Sequence, residues 1–216
     1  MSGTGTAVTA QHFSYIAAHT RGEDAFLQEL KSAAREAGIP EIWIAPEQAG
    51  FLQILLKAAG ARRVVEAGTL AGYSAIQLAR ALPADGRVDT IEAEPRHAEF
   101  AERWIAKSEV AARIRVHRGK AGEKFREFPG GSADAVFRDA DKRNNPLYLE
   151  EARRIVRKGG LILVDNAFAF GELLAENPKD PETGAIRAFN DQVARTPGLH
   201  AVIVPLGDGV WVGVKE

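Results

Sequence analysis

Two short stretches carry residues whose types could do chemistry together: Phe137-Arg138-Asp139-Ala140-Asp141-Lys142, and Asp165-Asn166 further on. Each lies at the end of an apolar run. Asp139, Asp165 and Asn166 offer hard oxygen donors, which favour Mg²⁺, Mn²⁺ or Ca²⁺ over softer metals. Lys142 follows the first of these carboxylates closely enough to act as a base once a nearby cation lowers its pKa. If the two runs are neighbouring parallel strands, their ends meet at one rim and the three oxygens converge on one cation, leaving positions for water or substrate. An acceptor with two adjacent hydroxyls would chelate such a cation, which favours the ionised oxygen. Each residue also has a plainer reading: a helix cap, an Asx turn for Asp165-Asn166, a surface ion pair for Asp141-Lys142. Their coincidence at one rim favours the chemical reading.

A second constellation comes earlier. Val64-Val65-Glu66-Ala67-Gly68-Thr69-Leu70-Ala71-Gly72-Tyr73-Ser74 reads as a strand, a Gly-rich turn and a helix start. Glycines let the backbone approach a ligand closely. The spacing is G-x-x-x-G, not the G-x-G-x-x-G of dinucleotide sites. The strand ends in Glu66, which would repel a pyrophosphate but suits a cationic or hydroxylated ligand, or holds the turn itself. The next strand ends in Glu92, placed to meet ribose hydroxyls as the acid of a dinucleotide site does. A nucleoside without phosphates fits, and S-adenosylmethionine has a ribose, a sulfonium and an ammonium.

The elements that must position these residues alternate along the chain. Helical patterns over Gln11–Gly38 and from Pro46 to Gly60 come first. Strands are then expected at Val64–Ala67, Val88–Ala93, Ile114–His117, Ala133–Phe137 and Leu161–Val164. Helices lie between and after them at Ser74–Leu82, Arg96–Lys107, Glu123–Phe128, Leu147–Val156 and Thr183–Arg195. Ala201–Pro205 and Val210–Val214, joined by Leu206-Gly207-Asp208-Gly209, suit a hairpin. This order predicts an α/β fold: a mostly parallel sheet with helices on both faces and one antiparallel edge. Ala167–Pro181 has no clear periodicity, as a functional lid often does not.

The 216 residues suit a single domain, with a helical segment over 1–45 and a cofactor- and metal-binding core over 46–216. A net charge of −1 gives no global attraction to nucleic acid or acidic membranes. The chain has no cysteine, which removes disulfides, thiolate metal sites and cysteine nucleophiles together. There is no membrane-length apolar run and no leader pattern in the first residues, so a cytoplasmic protein is expected.

From about Ile42 to the C-terminus the chain resembles the cation-dependent class I O-methyltransferases, the group of catechol and caffeoyl-CoA O-methyltransferases. The resemblance is carried by Ala45-Pro46-Glu47-Gln48, Glu66-Ala67-Gly68-Thr69 with Gly72-Tyr73-Ser74, Asp139-Ala140-Asp141-Lys142, Gly159-Gly160-Leu161, Asp165-Asn166, Phe189-Asn190 and Gly207-Asp208-Gly209. It implies a Rossmann-like, seven-stranded sheet with a reversed terminal hairpin, and a homodimer. It implies that Glu66, Gly68, Thr69 and Ser74, beside the Ile44 backbone, hold the methionine end of S-adenosylmethionine. Glu92 would bind the ribose, and Ala121 and Asp141 would line the adenine. Asp139, Asp165 and Asn166 would bind Mg²⁺ (or Mn²⁺ or Ca²⁺), and Lys142 would be the catalytic base beside Asp139. Arg138, Asn145 and Ala169-Phe170 depart from the family's usual residues near the acceptor pocket.

The expected acceptor is therefore a small phenolic vicinal diol of catechol type. The alternative is a tRNA hydroxyuridine O-methyltransferase of the same fold, prompted by two basic clusters: Arg113, Arg115, His117, Arg118 and Lys120, then Arg153, Arg154, Arg157 and Lys158. No aromatic residues interleave these charges to stack bases. A dinucleotide-dependent oxidoreductase and a non-catalytic binding protein fit less well, the first for want of the G-x-G-x-x-G, the second because the three ligands and Lys142 are intact.

Overall fold

The computed structural model describes residues 8–140 and 145–216, with only the backbone for 145 and 146. Seven strands form one sheet: β1 (Arg63–Ala67), β2 (Arg87–Glu92), β3 (Ile114–Arg118), β4 (Ala133–Arg138), β5 (Val156–Val164), β6 (Leu199–Val204) and β7 (Val210–Lys215). Their order is β3-β2-β1-β4-β5-β7-β6. The first five are mutually parallel, and β7 runs antiparallel to both β5 and β6. The terminal hairpin makes one side of the sheet antiparallel, as its pattern predicts, with β7 inside and β6 outermost. The hairpin docks through β7, which is the more buried of its two strands. Val210 and Trp211 are buried, whereas His200 and Val202 of β6 face solvent.

The helices are α1 (Ala10–His19), α2 (Ala25–Glu36), α3 (Pro46–Ala58), α4 (Tyr73–Ala81), α5 (Pro95–Ile105), α6 (Ala121–Lys124), α7 (Asn145–Ile155) and α8 (Thr183–Arg195). The single helical stretch expected over Gln11–Gly38 is two helices. The second starts where the Asp24 side chain accepts from the Leu27 N–H at 3.0 Å, an N-cap that satisfies a donor the first turn leaves open. Helix α2 buries Leu27, Leu30, Lys31 and Ala34, one face at helical spacing.

Alternate strand residues feed two cores. Val64, Val88, Ala135, Phe137, Leu161 and Leu163 join α2, α3, α4 and α5 on one face. Val65, Ala67, Ile91, Val136, Ile162 and Val164 join α6, α7 and α8 on the other. Burial on both faces explains why these strands read as continuous apolar runs. Strand β5 begins at Val156, earlier than expected, and its register against β4 shifts between Ala133↔Val156 and Ala135↔Leu161. The extra residues bulge out at Gly159 and Gly160; a Cβ on Gly160 would lie 2.6 Å from the Asp134 carbonyl. Among the described residues no helix is long and apolar enough to cross a membrane.

From β1 the chain winds outward through β2 and β3, then returns to the other side of β1 as β4. That reversal opens a crevice at the carboxyl ends of β1 and β4, where α/β sheets bind ligands.

Candidate functional site

The crevice starts from one contact. Gly68, just past β1, has φ +100, and a Cβ there would lie 2.0 Å from the Asp139 carbonyl oxygen. Only glycine lets the turn after β1 lie against the end of β4. The Asp139 N–H in turn donates to the Ala67 carbonyl at 2.9 Å. The Gly-rich turn and Asp139 are therefore neighbours by construction.

The turn is held from β2. Glu92 Oε2 accepts from the backbone N–H groups of Thr69 (3.1 Å) and Leu70 (2.8 Å), and Oε1 from that of Glu94 (2.9 Å). This carboxylate both lines the crevice and fixes the turn that borders it. Glu66 is fully buried behind the turn, where the Thr90 hydroxyl donates to its Oε2 at 2.5 Å. Thr90 also meets the Thr69 hydroxyl at 2.6 Å. Burial pushes the Glu66 carboxyl from 4.5 up to about 8; the Thr90 and Ser74 hydroxyls oppose this, and the charges of Asp139 and Glu92 add to it. Its Oε1 makes no hydrogen bond of ordinary geometry among the described residues, although Ser74 is close enough to favour ionisation. A buried acid with one open oxygen suits a ligand bearing positive charge.

Asp139 and Asp165 come together through strand register. Arg138 pairs with Val164, and the Asp165 N–H donates to the Arg138 carbonyl at 3.0 Å, so the two aspartates extend adjacent strands side by side. Asp165 is buried, and its Oδ1 accepts from the Gln48 side-chain amide at 2.8 Å. Asn166 follows with φ +64, and its amide N–H donates to Asp208 Oδ2 at 3.2 Å. Among the described residues no three His, Cys, Asp or Glu side chains group as a metal site. The set here is two carboxylates and one amide, a hard-oxygen trio of the kind Mg²⁺ takes together with water.

Around these groups lies a cleft of about 820 Å³. Ile44, Gly68, Thr69, Ser74, Glu92, Ala121, Asp139 and Asn166 line it. Glu66 and Asp165 stand behind its wall. Asp141 and Lys142 lie outside the described residues. Phe170, placed near the acceptor pocket by the sequence, lines the cleft, as do Trp43 and Tyr148, which sequence reasoning missed. Trp43 is seated by Lys31, whose Nζ lies 5.4 Å from its ring and 4.3 Å from the buried Tyr73 ring. The apolar triplet Ile42-Trp43-Ile44 before Pro46 was the available signal.

Arg138 does not reach solvent; its Nη2 donates to the Ala140 carbonyl at 3.3 Å. It is 2% exposed and its guanidinium lies 5.8 Å from the Tyr148 ring and 5.7 Å from the Phe189 ring. Such stacking suits a planar, weakly hydrated cation. The basic clusters are largely engaged within the protein. Arg118 bonds Glu102 at 2.6 Å, His117 bonds Asp89 at 2.8 Å, and Arg157 bonds Asp134 at 2.6 Å. Arg113 donates to the Leu82 carbonyl, Arg153 to that of Pro197, and Arg154 to those of Phe125 and Phe128.

Comparison with known proteins gives the same answer from a different direction. A family model of O-methyltransferases matches residues 17–216. A catechol O-methyltransferase of Niastella koreensis is 38% identical over 197 residues, covering 90% of this chain and 86% of that protein. One from Mycobacterium tuberculosis is 39% identical over 193 residues, covering 89% and 87%. The crystal structure of an O-methyltransferase from Bacillus cereus in complex with SAH superposes with a TM-score of 0.85 at 33% identity, covering 94% of this chain and 96% of that one. With its seven-stranded switch-point sheet and this likeness along nearly its whole length, the chain belongs to the O-methyltransferase family and is a methyltransferase.

Proposed function

We propose that this protein methylates a hydroxyl of a catechol-like vicinal diol, with S-adenosylmethionine as donor and Mg²⁺ or a similar divalent cation (Mn²⁺, Ca²⁺) as helper. The observation that carries this reading is the adjacency of Asp139 and Asp165 at the carboxyl edge of β4 and β5, in contact with the Gly68 turn. Parallel register brings the two residues to adjacent positions on one rim, from which both could reach a single cation.

The cofactor half fits the donor. Glu66 keeps an open buried oxygen, Gly68 permits close backbone approach, and Glu92 faces the cleft beside Thr69. A relative of this fold binds SAH, the form S-adenosylmethionine takes once its methyl group has left. Asp139, Asp165 and the Asn166 carbonyl would hold the cation, which when bound lowers the pKa of a coordinated hydroxyl. Gln48 keeps Asp165 in place through its amide. Trp43 and Phe170 give the cleft aromatic surface for a flat acceptor. Lys142 would take the hydroxyl proton, and the methyl group passes from sulfur to oxygen as the S–C bond breaks and the O–C bond forms. The reading carries with it the homodimer that the family resemblance implies and the cytoplasmic setting expected from the sequence. The internal pairing of Arg118, Arg154 and Arg157 favours a small acceptor over tRNA, whose phosphates need available cations.

The test is methyl transfer from S-adenosylmethionine to catechols, caffeoyl esters and unmodified tRNA, with and without exhaustive chelation. We expect turnover on a catechol that disappears with chelator and returns with Mg²⁺. Undiminished turnover after chelation sinks the metal, and transfer to tRNA alone sinks the small acceptor.

A further inference from the structure

The turn between β6 and β7 is far in sequence from the cleft, yet its residues hold the cleft's acceptor side at three points. Gly207 has φ +56 and lies against Gln48; a Cβ there would sit 2.2 Å from Gln48 Cδ. Gln48 is the side chain that donates to Asp165. Gly209 lies against the Phe168 ring, 2.9 Å from where its Cβ would be. Between them, Asp208 Oδ2 accepts twice, from the Asn166 side-chain amide at 3.2 Å and from the Phe170 backbone N–H at 2.9 Å.

That shared oxygen has two consequences. A carboxylate only accepts hydrogen bonds, so the edge of Asn166 facing Asp208 must be its NH₂ group. The Asn166 carbonyl oxygen is then at the opposite edge of an amide that lines the cleft. The second bond pins Phe170, which with Ala169 has positive φ (+56 and +52), a conformation non-glycine residues keep only when the surroundings hold it. Phe170 is half exposed and lines the same cleft.

We propose that Asp208 is a positioning residue of the methyl-transfer site: it fixes which atom Asn166 presents to the cation and where Phe170 stands against the acceptor, so one carboxylate couples cation affinity to acceptor fit. The inference rests on the cation-dependent reading above and assigns a role that neither the ligand trio nor the base provides. Removing an outer partner of a metal ligand typically weakens metal binding about 10–100-fold.

The experiment is a Mn²⁺ titration of the full chain, followed by the electron paramagnetic resonance signal of free Mn²⁺, with KM for a catechol and the affinity for S-adenosylmethionine measured in parallel. Asp208→Ala should weaken Mn²⁺ binding by about 10–100-fold and raise the acceptor KM, leaving donor affinity unchanged. Asp208→Asn, which keeps an accepting oxygen, should recover most of the Mn²⁺ affinity. In an Asn166→Ala background, Asp208→Ala should weaken Mn²⁺ binding no further, because the partner it acts through is gone. Wild-type Mn²⁺ affinity in Asp208→Ala, or full additivity with Asn166→Ala, overturns the proposal. If Asp208→Ala does not fold, Asp208→Leu takes its place; if no variant lacking the oxygen folds, Asp208 is structural and the proposal fails. A wild-type chain that takes up no Mn²⁺ defeats the cation reading and this one together, whereas wild-type uptake matched by Asp208→Ala defeats this one alone.

Discussion

The two halves of the cleft are built in different ways. The cofactor half is local: Glu66 to Ser74 form one strand end, one turn and one helix start, and the turn's main outside support is Glu92 on the adjacent strand. The acceptor half is assembled from distant pieces. Gln48 reaches Asp165 across 117 residues and Asp208 reaches Asn166 across 42. Asn190 donates to the Ala167 carbonyl, and Arg187 to those of Glu172 and Leu173. A site half made by contiguous backbone keeps its shape as long as the sheet stands. One made by long-range side-chain bonds can change its acceptor by changing a single tie. Donor binding and acceptor choice should therefore respond separately to mutation.

The largest expected separation comes from Asp139→Ala. It removes an acceptor-half carboxylate whose backbone touches the cofactor turn, so the fold and donor site should persist. If Asp139 holds the cation proposed above, losing its share in stabilising the ionised oxygen should cost several kcal/mol, or about a thousandfold or more in kcat/KM. Donor affinity measured by calorimetry should change by only a few fold. A comparable loss in both quantities would show that the halves are not independent.

Glu66 tests the cofactor half by pH. Its folded carboxyl holds its proton up to about pH 8, whereas in the unfolded chain it ionises near 4.5. Below that lower value both states carry the proton and burial is unopposed. As pH rises toward 8 the unfolded state alone loses it, so stability falls, by roughly 4–5 kcal/mol across the window. Glu66→Gln has nothing to titrate, and its chemical-denaturation free energy should stay flatter between pH 5 and 8. Equal slopes in both proteins would mean that the buried acid is not the source.

The seam between the halves is Gly68. In Gly68→Ala the new methyl must displace the Asp139 carbonyl and adopt a φ of +100. We expect about 3 kcal/mol of destabilisation, or roughly 6–12 °C in Tm for a chain of this size. A melting temperature within a degree of wild type would show that the two strand ends can part freely.

The same contrast explains what could be read from sequence. Short apolar runs ended by Glu66, Glu92, Asp139 and Asp165 placed the sheet and its reactive rim, because parallel strands buried on both faces leave little else for such runs to be. The early start of β5 was hidden because Arg157-Lys158-Gly159-Gly160 reads as a helix end, and its bulge follows from packing against Asp134. The break between α1 and α2 depended on the Asp24 cap. Gln48 and Asp208 were visible as motif residues, but their partners are set by the tertiary fold. Arg138 looked anomalous because its aromatic partners, Tyr148 and Phe189, lie on α7 and α8.

The smallest predicted effect is the most specific to the acceptor half. Phe170 sits half exposed and lines the cleft, with its backbone tied to Asp208, and among the described residues it joins neither core cluster. Phe170→Ala removes little buried surface, so stability should move by less than about 0.5 kcal/mol. If the ring stacks on a flat acceptor, KM should rise by roughly 3–10-fold, the equivalent of about 1 kcal/mol of aromatic contact. The rise should be larger for a bicyclic catechol than for catechol itself, because the larger ring system has more face to lose. Donor affinity has no reason to change, since Phe170 stands on the side of the cleft built by Asp208 and not on the side built by Glu92. A uniform KM increase across acceptors of all sizes would instead place Phe170 in a general gating role, and the acceptor half would then owe its selectivity to Trp43, which lines the same cleft.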